Sequence, residues 1–303
     1  VFVDSLTHAL TAALLAYILN LPQLLPFVVL GAVIIDADIL FAWVSDCHPS
    51  LYLFTHGGFT HSIAGAVVLS VIAWTAAAFV QAAGLLHPVY PMPAAPPVAF
   101  AAVLAGALLH IDLDALATPG LPLLLPFSDR KYTAGLLPGP SILLMAVSLF
   151  FVIWMGLGVI DLPSMILPYA AVIAAFLAVR LVAFIIAHMV LHGNGRAIPT
   201  INPLRWLVIS ENPEAWTVSE YRIGKGTGNT EYIVKYRSTG AGETTPFLTL
   251  PEVRRFRFHS CIVTMEKVGD EIVFSDPLRE SGRIFYPPHY TRVCVRLPDP
   301  SGP

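Results

Sequence analysis

Two imidazoles and two hydroxyls are crowded into His56-Gly57-Gly58-Phe59-Thr60-His61-Ser62, at the mouth of a long apolar run. The other ionisable residues of the apolar first half can be read as partners for this stretch. His8 follows Asp4 by four residues, Asp36 and Asp38 interrupt a second apolar run, and His110 precedes Asp114 by four in a third. Residues four apart in a helix share a face, so His110 and Asp114 are a usual way for one helix to offer an imidazole and a carboxylate to one ion. Asp36 and Asp38 stand about 200° apart round a helix, so both reach one ion only if the helix breaks there. Asp36 is the favoured ligand, with Asp38 a second ligand, a helix-end group or a catalytic carboxylate. His61, at the helix entry, is the better ligand of its stretch, whereas His56 is a ligand, an acid/base or a phosphate binder. Thr60 and Ser62 are the candidates to cap the following helix, and Thr60 also has a hydroxyl to offer to catalysis. Imidazole and carboxylate without thiolate suit Zn²⁺, with Mn²⁺ and Fe²⁺ as alternatives. Such an ion delivers hydroxide at neutral pH, which makes hydrolysis the natural reaction class.

The elements that must position these groups are membrane helices. The chain is 56% hydrophobic and 12% charged, against about 25% charged in soluble domains. Residues 1–195 carry three basic residues (Arg130, Lys131, Arg180), eight Asp and no Glu, and the remaining charges fall in 196–303. This predicts a polytopic all-α transmembrane domain over 1–195 and a small antiparallel β-rich soluble domain over 196–303. Apolar segments at about 6–19, 24–44, 61–83, 98–116, 141–160 and 164–191 predict a six-helix bundle, since a span takes roughly 20 apolar residues. Six spans put both termini on one side, together with Arg130, Lys131 and Arg196, while the opposite loops lack Lys and Arg. The positive-inside rule makes that side cytoplasmic in a plasma or inner membrane. His8, Asp36, Asp38, His61, His110 and Asp114 then fall in one layer near that face.

The tail reads as short strands at 216–223, 232–237, 254–259, 262–268, 272–274 and 291–297. His48, His87, His259 and His289 read as loop or surface residues, and His188 with His192 as a possible second pair at the end of the sixth segment. Arg180, inside that segment, needs a partner, for which an intramembrane Asp is the candidate. Three cysteines without metal spacing leave at most a Cys261–Cys294 bridge. No basic n-region or small-residue cleavage site marks the start, so a removable signal peptide is not expected. The net charge, about −5 in the first part and +2 in the second, does not call for nucleic acid as a partner. The expected partners are the lipid bilayer, a lipid or phosphoester substrate, and a soluble protein bound through the tail.

Thr7-His8, Asp36-Ala37-Asp38, His56-x-x-x-Thr60-His61-Ser62, His110-x-x-x-Asp114 and the run Gly120 to Leu125-Pro126-Phe127-Ser128 occur here in one order. By these motifs the chain resembles the predicted membrane-bound metal-dependent hydrolases, related to the LexA-binding inner-membrane hydrolases. Two departures stand out. Gly57 occupies a place usually basic in that family, which passes the task of binding an anionic substrate to Arg130 or Lys131, with Ser128 beside them. Ile35 replaces the usual Pro before Asp36. The order of ligands is also similar to that of the bacterial zinc-dependent phospholipases C. That resemblance implies Asp36, His61, His110 and Asp114 around one zinc and His8 with Asp114 at a second, with one to three ions in all, and hydrolysis of a phosphodiester or phospholipid. Two other functions remain open: a divalent-metal transporter, which would place such groups near the midplane, and a membrane scaffold with a structural metal site.

Overall fold

The computed structural model describes residues 2–41, 43–84, 96–191, 195–286 and 290–297, and the side chains of residues 2–4 fall outside that description. His87, His192, His289 and the Asp4 side chain therefore lie outside the described residues. Two compact units emerge. One comprises Val1–Val44, Leu53–Ala134 and Pro140–Ala178, and the other Ser45–Tyr52, Gly135–Gly139 and Val179–Pro303.

The first unit is helical. Its helices are α1 (Phe2–Ile18), α2 (Leu25–Ile34), α4 (Ile63–Ala82), α5 (Pro96–Asp114), α6 (Ile142–Gly156) and most of α7 (Leu162–Met189); the division between the units falls within the short α3 (Trp43–Cys47). Three of the starts have a side-chain cap. Ser62 caps α4 by accepting from the Gly65 amide at 3.0 Å, Ser141 does the same for α6, and Asp161 accepts from the Ser164 amide at the start of α7. Four stretches are long and apolar enough to cross a membrane: Pro22–Cys47, Ile63–Ala82, Pro96–Asp114 and Leu162–Met189. Helices α1 and α6 are shorter. The 15 residues of α6 span about 22 Å, less than the roughly 30 Å of a hydrocarbon core. Against the expected six spans, the described residues give four stretches of spanning length and two shorter apolar helices, so six spans are not established.

Packing in this unit rests on small residues. Where α2 crosses α5, a Cβ on Gly31 would stand 1.8 Å from the Val103 carbonyl oxygen, and one on Gly106 would stand 1.9 Å from that of Val28. The two backbones touch, as small residues allow between membrane helices. Ala12, Phe27, Val28, Ala32, Ala99 and Val103 fill the core around this crossing. Helices α1, α6 and α7 meet through Leu10, Leu14, Phe151, Met165 and Tyr169. A buried hydroxyl chain, Thr7 to Ser148 at 3.0 Å and Ser148 to Tyr169 at 2.9 Å, satisfies their polar atoms inside that apolar seam.

The second unit holds two four-stranded sheets. The first runs β1 (Gly195–Pro199), β2 (Arg205–Glu211), β3 (Ala215–Arg222), β4 (Gly226–Val234), all antiparallel neighbours. In the second, β5 (Tyr236–Arg237) lies parallel to β6 (Thr264–Val268), and β7 (Glu271–Ser275) and β8 (Arg292–Arg296) continue antiparallel. Helices α8 (Ala241–Thr244), α9 (Pro251–His259) and α10 (Pro277–Glu280) connect them. The end of α7 packs through Ala183 and Ala187 on Ala197, Trp206 and Tyr221 of the first sheet.

Several local expectations change here. The stretch 254–259 is helix, not strand: Val253, Phe256 and His259 are its buried residues, spaced by three, and Pro251 occupies its first turn. His259 is accordingly buried, stacked on Tyr290 with ring centroids 3.8 Å apart. β1 and β2 form a hairpin over 195–211 that the sequence reading left unassigned. Arg180 finds partners in backbone: its guanidinium donates to the carbonyls of Thr200 and Ile201 at 2.9 Å each, where an acid had been expected. All three cysteines are free, Cys261 and Cys294 included.

Candidate metal centre

Helix α2 ends at Ile34, and residues Ile35–Leu40 wind on as a 3₁₀ segment. At three residues per turn, positions two apart diverge by about 120°, against about 160° in an α-helix, so Asp36 and Asp38 can both reach one neighbour. That is His61. Its Nε2 is 3.7 Å from Asp36 Oδ1, and its Nδ1 is 3.2 Å from Asp38 Oδ2.

The turn that carries His61 is pressed onto its neighbours by glycines. A Cβ on Gly58 would stand 2.1 Å from the Leu53 carbonyl oxygen, and one on Gly65 would stand 2.0 Å from that of Phe59. Gly57 adopts a positive φ of 72°, which costs glycine nothing. The stretch 56–62 therefore folds tightly on the first turn of α4, and Ser62, not Thr60, provides the cap. The Thr60 hydroxyl instead donates to Asp38 Oδ2 at 2.5 Å and lies 2.9 Å from His61 Nδ1.

Asp38 is fully buried and occupied. Besides Thr60 and His61 it accepts from His56 Nδ1 at 2.8 Å and from the Gly57 amide at 3.3 Å. A carboxylate so engaged orients imidazoles, as the outer partners of metal-binding histidines do. The arrangement places protons on Nδ1 of both His56 and His61 and leaves the Nε2 lone pairs outward.

His110 is prepared in the same way. Its Nδ1 donates to the Ala32 carbonyl at 2.6 Å across the α2–α5 crossing, which turns Nε2 toward Asp36 Oδ1 at 3.6 Å and Asp114 Oδ2 at 3.4 Å. Asp114 Oδ2 is also 3.4 Å from His61 Nε2. The Nε2 atoms of His61 and His110 are buried and have no hydrogen-bond partner among the described residues. Each of these two imidazole nitrogens thus lies within 3.7 Å of an oxygen of both Asp36 and Asp114. Zinc bonds of about 2.0–2.2 Å to nitrogen and oxygen put tetrahedral donors about 3.3–3.6 Å apart, and the observed separations run from 3.4 to 3.7 Å. The donor set fits such an ion.

The other oxygen of Asp114 extends the cluster. Oδ1 is 3.2 Å from His8 Nε2, and the His8 ring stacks on His110 with centroids 3.8 Å apart. Two groups capable of holding an ion result, His8–His110–Asp114 and Asp36–His56–His61. The pocket is closed on the His61 and His110 side, while Asp114 keeps 24% and His56 25% of their side-chain surface exposed.

Of the residues singled out in the sequence, the structure brings together His8, Asp36, Asp38, His56, Thr60, His61, His110 and Asp114. Ser5 joins them by donating its hydroxyl to Asp36 Oδ2; its signal was a hydroxyl three residues before His8, on the same helix face. The anchors proposed for substrate sit on the loop that follows α5. Ser128 Oγ accepts from the Arg130 amide at 3.3 Å and the Arg130 guanidinium sits over the Tyr132 ring, while Lys131 is half-buried on the same loop. His188 donates Nδ1 to the Phe184 carbonyl and packs on the Phe184 ring.

No curated protein and no solved structure matches the chain. A family does, and it agrees with the apolar helices just described. Residues 3–191 match the family model described as YdjM inner membrane protein, and the chain belongs to that family.

Proposed function

We propose that the chain is a membrane-embedded, metal-dependent hydrolase whose substrate is a phosphoester of the phospholipid type, reached at the membrane face. The observation that carries this reading is the pair of buried, partnerless Nε2 atoms of His61 and His110, aimed at Asp36 and Asp114 at separations suited to zinc. A divalent ion there supplies Lewis acidity and lowers the pKa of a water molecule to near neutrality.

The chain's own groups do the rest. Asp36, His61, His110 and Asp114 hold the ion, and His8 with the second oxygen of Asp114 offers donors for another. Asp38 and Thr60 fix the tautomer of His61, and Asp38 fixes that of His56. With Nδ1 committed to Asp38, His56 presents a basic Nε2 on the exposed side of the cluster, where it can take a proton from the attacking water or return one to the leaving group. Six apolar helices cross or enter the bilayer, and the basic residues Arg130, Lys131 and Arg196 set the site's face and both termini on the cytoplasmic side.

Metal content of the full chain in detergent tests the reading, with the wild type beside His110→Ala, Asp114→Ala and His56→Ala. Zinc near stoichiometry in the wild type, lost in the first two variants and kept in the third, is expected. His56→Ala is then expected to lose turnover of a chromogenic phosphodiester or a phospholipid. A wild type free of metal after purification and after dialysis against zinc would sink the proposal. A metal-loaded wild type without hydrolysis of any phosphoester would leave a structural site and a scaffold.

A further inference from the structure

The loop after α5 is built to lie at the ends of two membrane helices. Ala115 and Ala117, just past α5, accept from the Ala134 amide at 2.7 Å and the Thr133 hydroxyl at 2.7 Å. Leu121 and Tyr132 exchange both backbone hydrogen bonds, at 3.0 and 2.9 Å, closing the loop at its neck. The Leu123 carbonyl accepts from the amide of Ile63, the first residue of α4, at 3.1 Å. Leu121 itself is buried against Ile35, Ala66, Ala107 and Ile111. The neck is thus tied to the last turn of one candidate span and the first turn of another, and both turns belong to the same face.

Beyond the neck the chain turns outward. The amide of Leu125 reaches Pro122, and those of Phe127 and Ser128 both reach Leu124, so Leu124 and Phe127 flank one turn and lie close together. Leu124 is 46% exposed and Phe127 is 93% exposed. An aromatic ring left almost wholly bare at the end of a membrane helix is an interaction surface. Its position names the occupant, because the ends of α4 and α5 are where the hydrocarbon gives way to headgroups. The charge adds the chemistry: Arg130 is exposed three residues after Phe127, and two of the three basic residues of 1–195 fall in this loop. Apolar side chains at the acyl boundary with cations a turn away are the arrangement that binds anionic leaflets.

We propose that residues 121–132 form an interfacial wedge: Leu124 and Phe127 enter the acyl boundary of the leaflet, and Arg130 engages anionic phosphate headgroups above it. The wedge would hold the loop over the membrane beside Gly57, where an added Cβ would stand 4.0 Å from a Leu121 methyl. This inference rests on the chain's membrane character and not on its proposed hydrolase activity.

The test is membrane depth of a nitroxide in the full chain reconstituted into vesicles. Phe127→Cys and Asp129→Cys are labelled in a Cys47→Ala, Cys294→Ala background, and that background alone reports any label on Cys261. In phosphatidylcholine with phosphatidylglycerol, the label at 127 is expected to collide more with oxygen than with a water-soluble nickel chelate, and the label at 129 the reverse. Arg130→Glu is expected to shift the label at 127 toward water in the anionic vesicles and to leave it unmoved in pure phosphatidylcholine. A label at 127 as open to the chelate as that at 129 overturns the proposal. So does a label shielded from both reagents, which would mean that protein, such as a second copy, covers Phe127. Neither readout depends on metal or turnover.

Discussion

Gly106→Ala is the substitution that most directly links helix packing to the metal centre. The added methyl stands 1.9 Å from the Val28 carbonyl oxygen, and ordinary contact begins at 3.4 Å, so α2 and α5 must part by about 1.5 Å. The obstacle is backbone, which cannot swing aside as a side chain would. His110 rides on α5, one helical turn past Gly106, while its Nδ1 partner Ala32 and the Asp36 carboxylate follow α2. Separating the helices therefore stretches the 2.6 Å bond to Ala32 and the 3.6 Å approach of His110 to Asp36 together. A displacement of that size along the second vector takes it to about 5 Å, outside what one zinc ion spans.

The expected result is at least the roughly 10–100-fold loss of metal affinity that follows disturbance of outer-shell partners. A cost of about 1–3 kcal/mol in stability, as for overpacked cores, accompanies it. Zinc affinity in chelator-buffered titrations of the detergent-purified chain measures the first, and thermal unfolding in chelator measures the second. Gly156→Ala is the control, since its Cβ meets nothing within 4 Å. Unchanged zinc affinity in Gly106→Ala would refute the reasoning, because it would mean that the α2–α5 crossing does not set the distance between the ligands.

Two further outcomes are expected. Asp38→Asn keeps the shape of the carboxylate but weakens its grip on His56 and His61, so zinc affinity should drop by about 10–100-fold without loss of stoichiometry at saturating zinc; complete loss would make Asp38 a ligand. In the second unit, burial pushes the Asp276 carboxyl above its ordinary 3.8, against the opposing pull of the Cys261 amide and Arg279. A raised folded value favours the protonated form in the fold, so the contribution is full below 3.8 and is lost as pH rises through the folded value. Asp276→Asn should flatten the fall in thermal stability of the full chain over that window, and an unaltered slope would exclude Asp276 as its source.

The sequence exposed the ligands because ionisable groups are rare in apolar helices, and it paired His110 with Asp114 because both lie on one helix. It posed the problem of Asp36 and Asp38 without solving it, since a switch to 3₁₀ winding after Ile34 leaves no mark in residue types. The role of Asp38 was hidden for a related reason: a buried acceptor of four donors and a metal ligand look alike in a sequence. Gly31 and Gly106 could be seen as glycines but not as partners, because they lie on helices whose crossing only the fold defines. In the second unit, Phe256 and Phe258 alternate as a strand would, and the period of three in Val253, Phe256 and His259 decided for helix. Pro251 and Glu252 at its start and Arg257 at its end were the signals that favoured that outcome.

The way the ligands are held also predicts what happens without an ion. Asp36 and Asp114 point carboxylate oxygens, and His61 and His110 point lone pairs, into one small space in apolar surroundings, with the opposite ends of both imidazoles already committed. All four groups are electron-rich there, so their convergence is unfavourable unless a cation joins them, and desolvation adds to the cost. Every device around them, the glycine contacts, the Ala32 carbonyl and the Asp38 acceptor, opposes their moving apart. A hydrogen-bonded structural cluster behaves in the opposite way, since removing a charge from it leaves a partner unsatisfied. Asp36→Asn separates the two cases. In chelator it should raise the unfolding temperature above that of the wild type, and with zinc it should fall below, because only the wild type gains from the ion. If Asp36→Asn is instead less stable than the wild type in chelator, the cluster is held together by its own hydrogen bonds and no cation is needed to explain it.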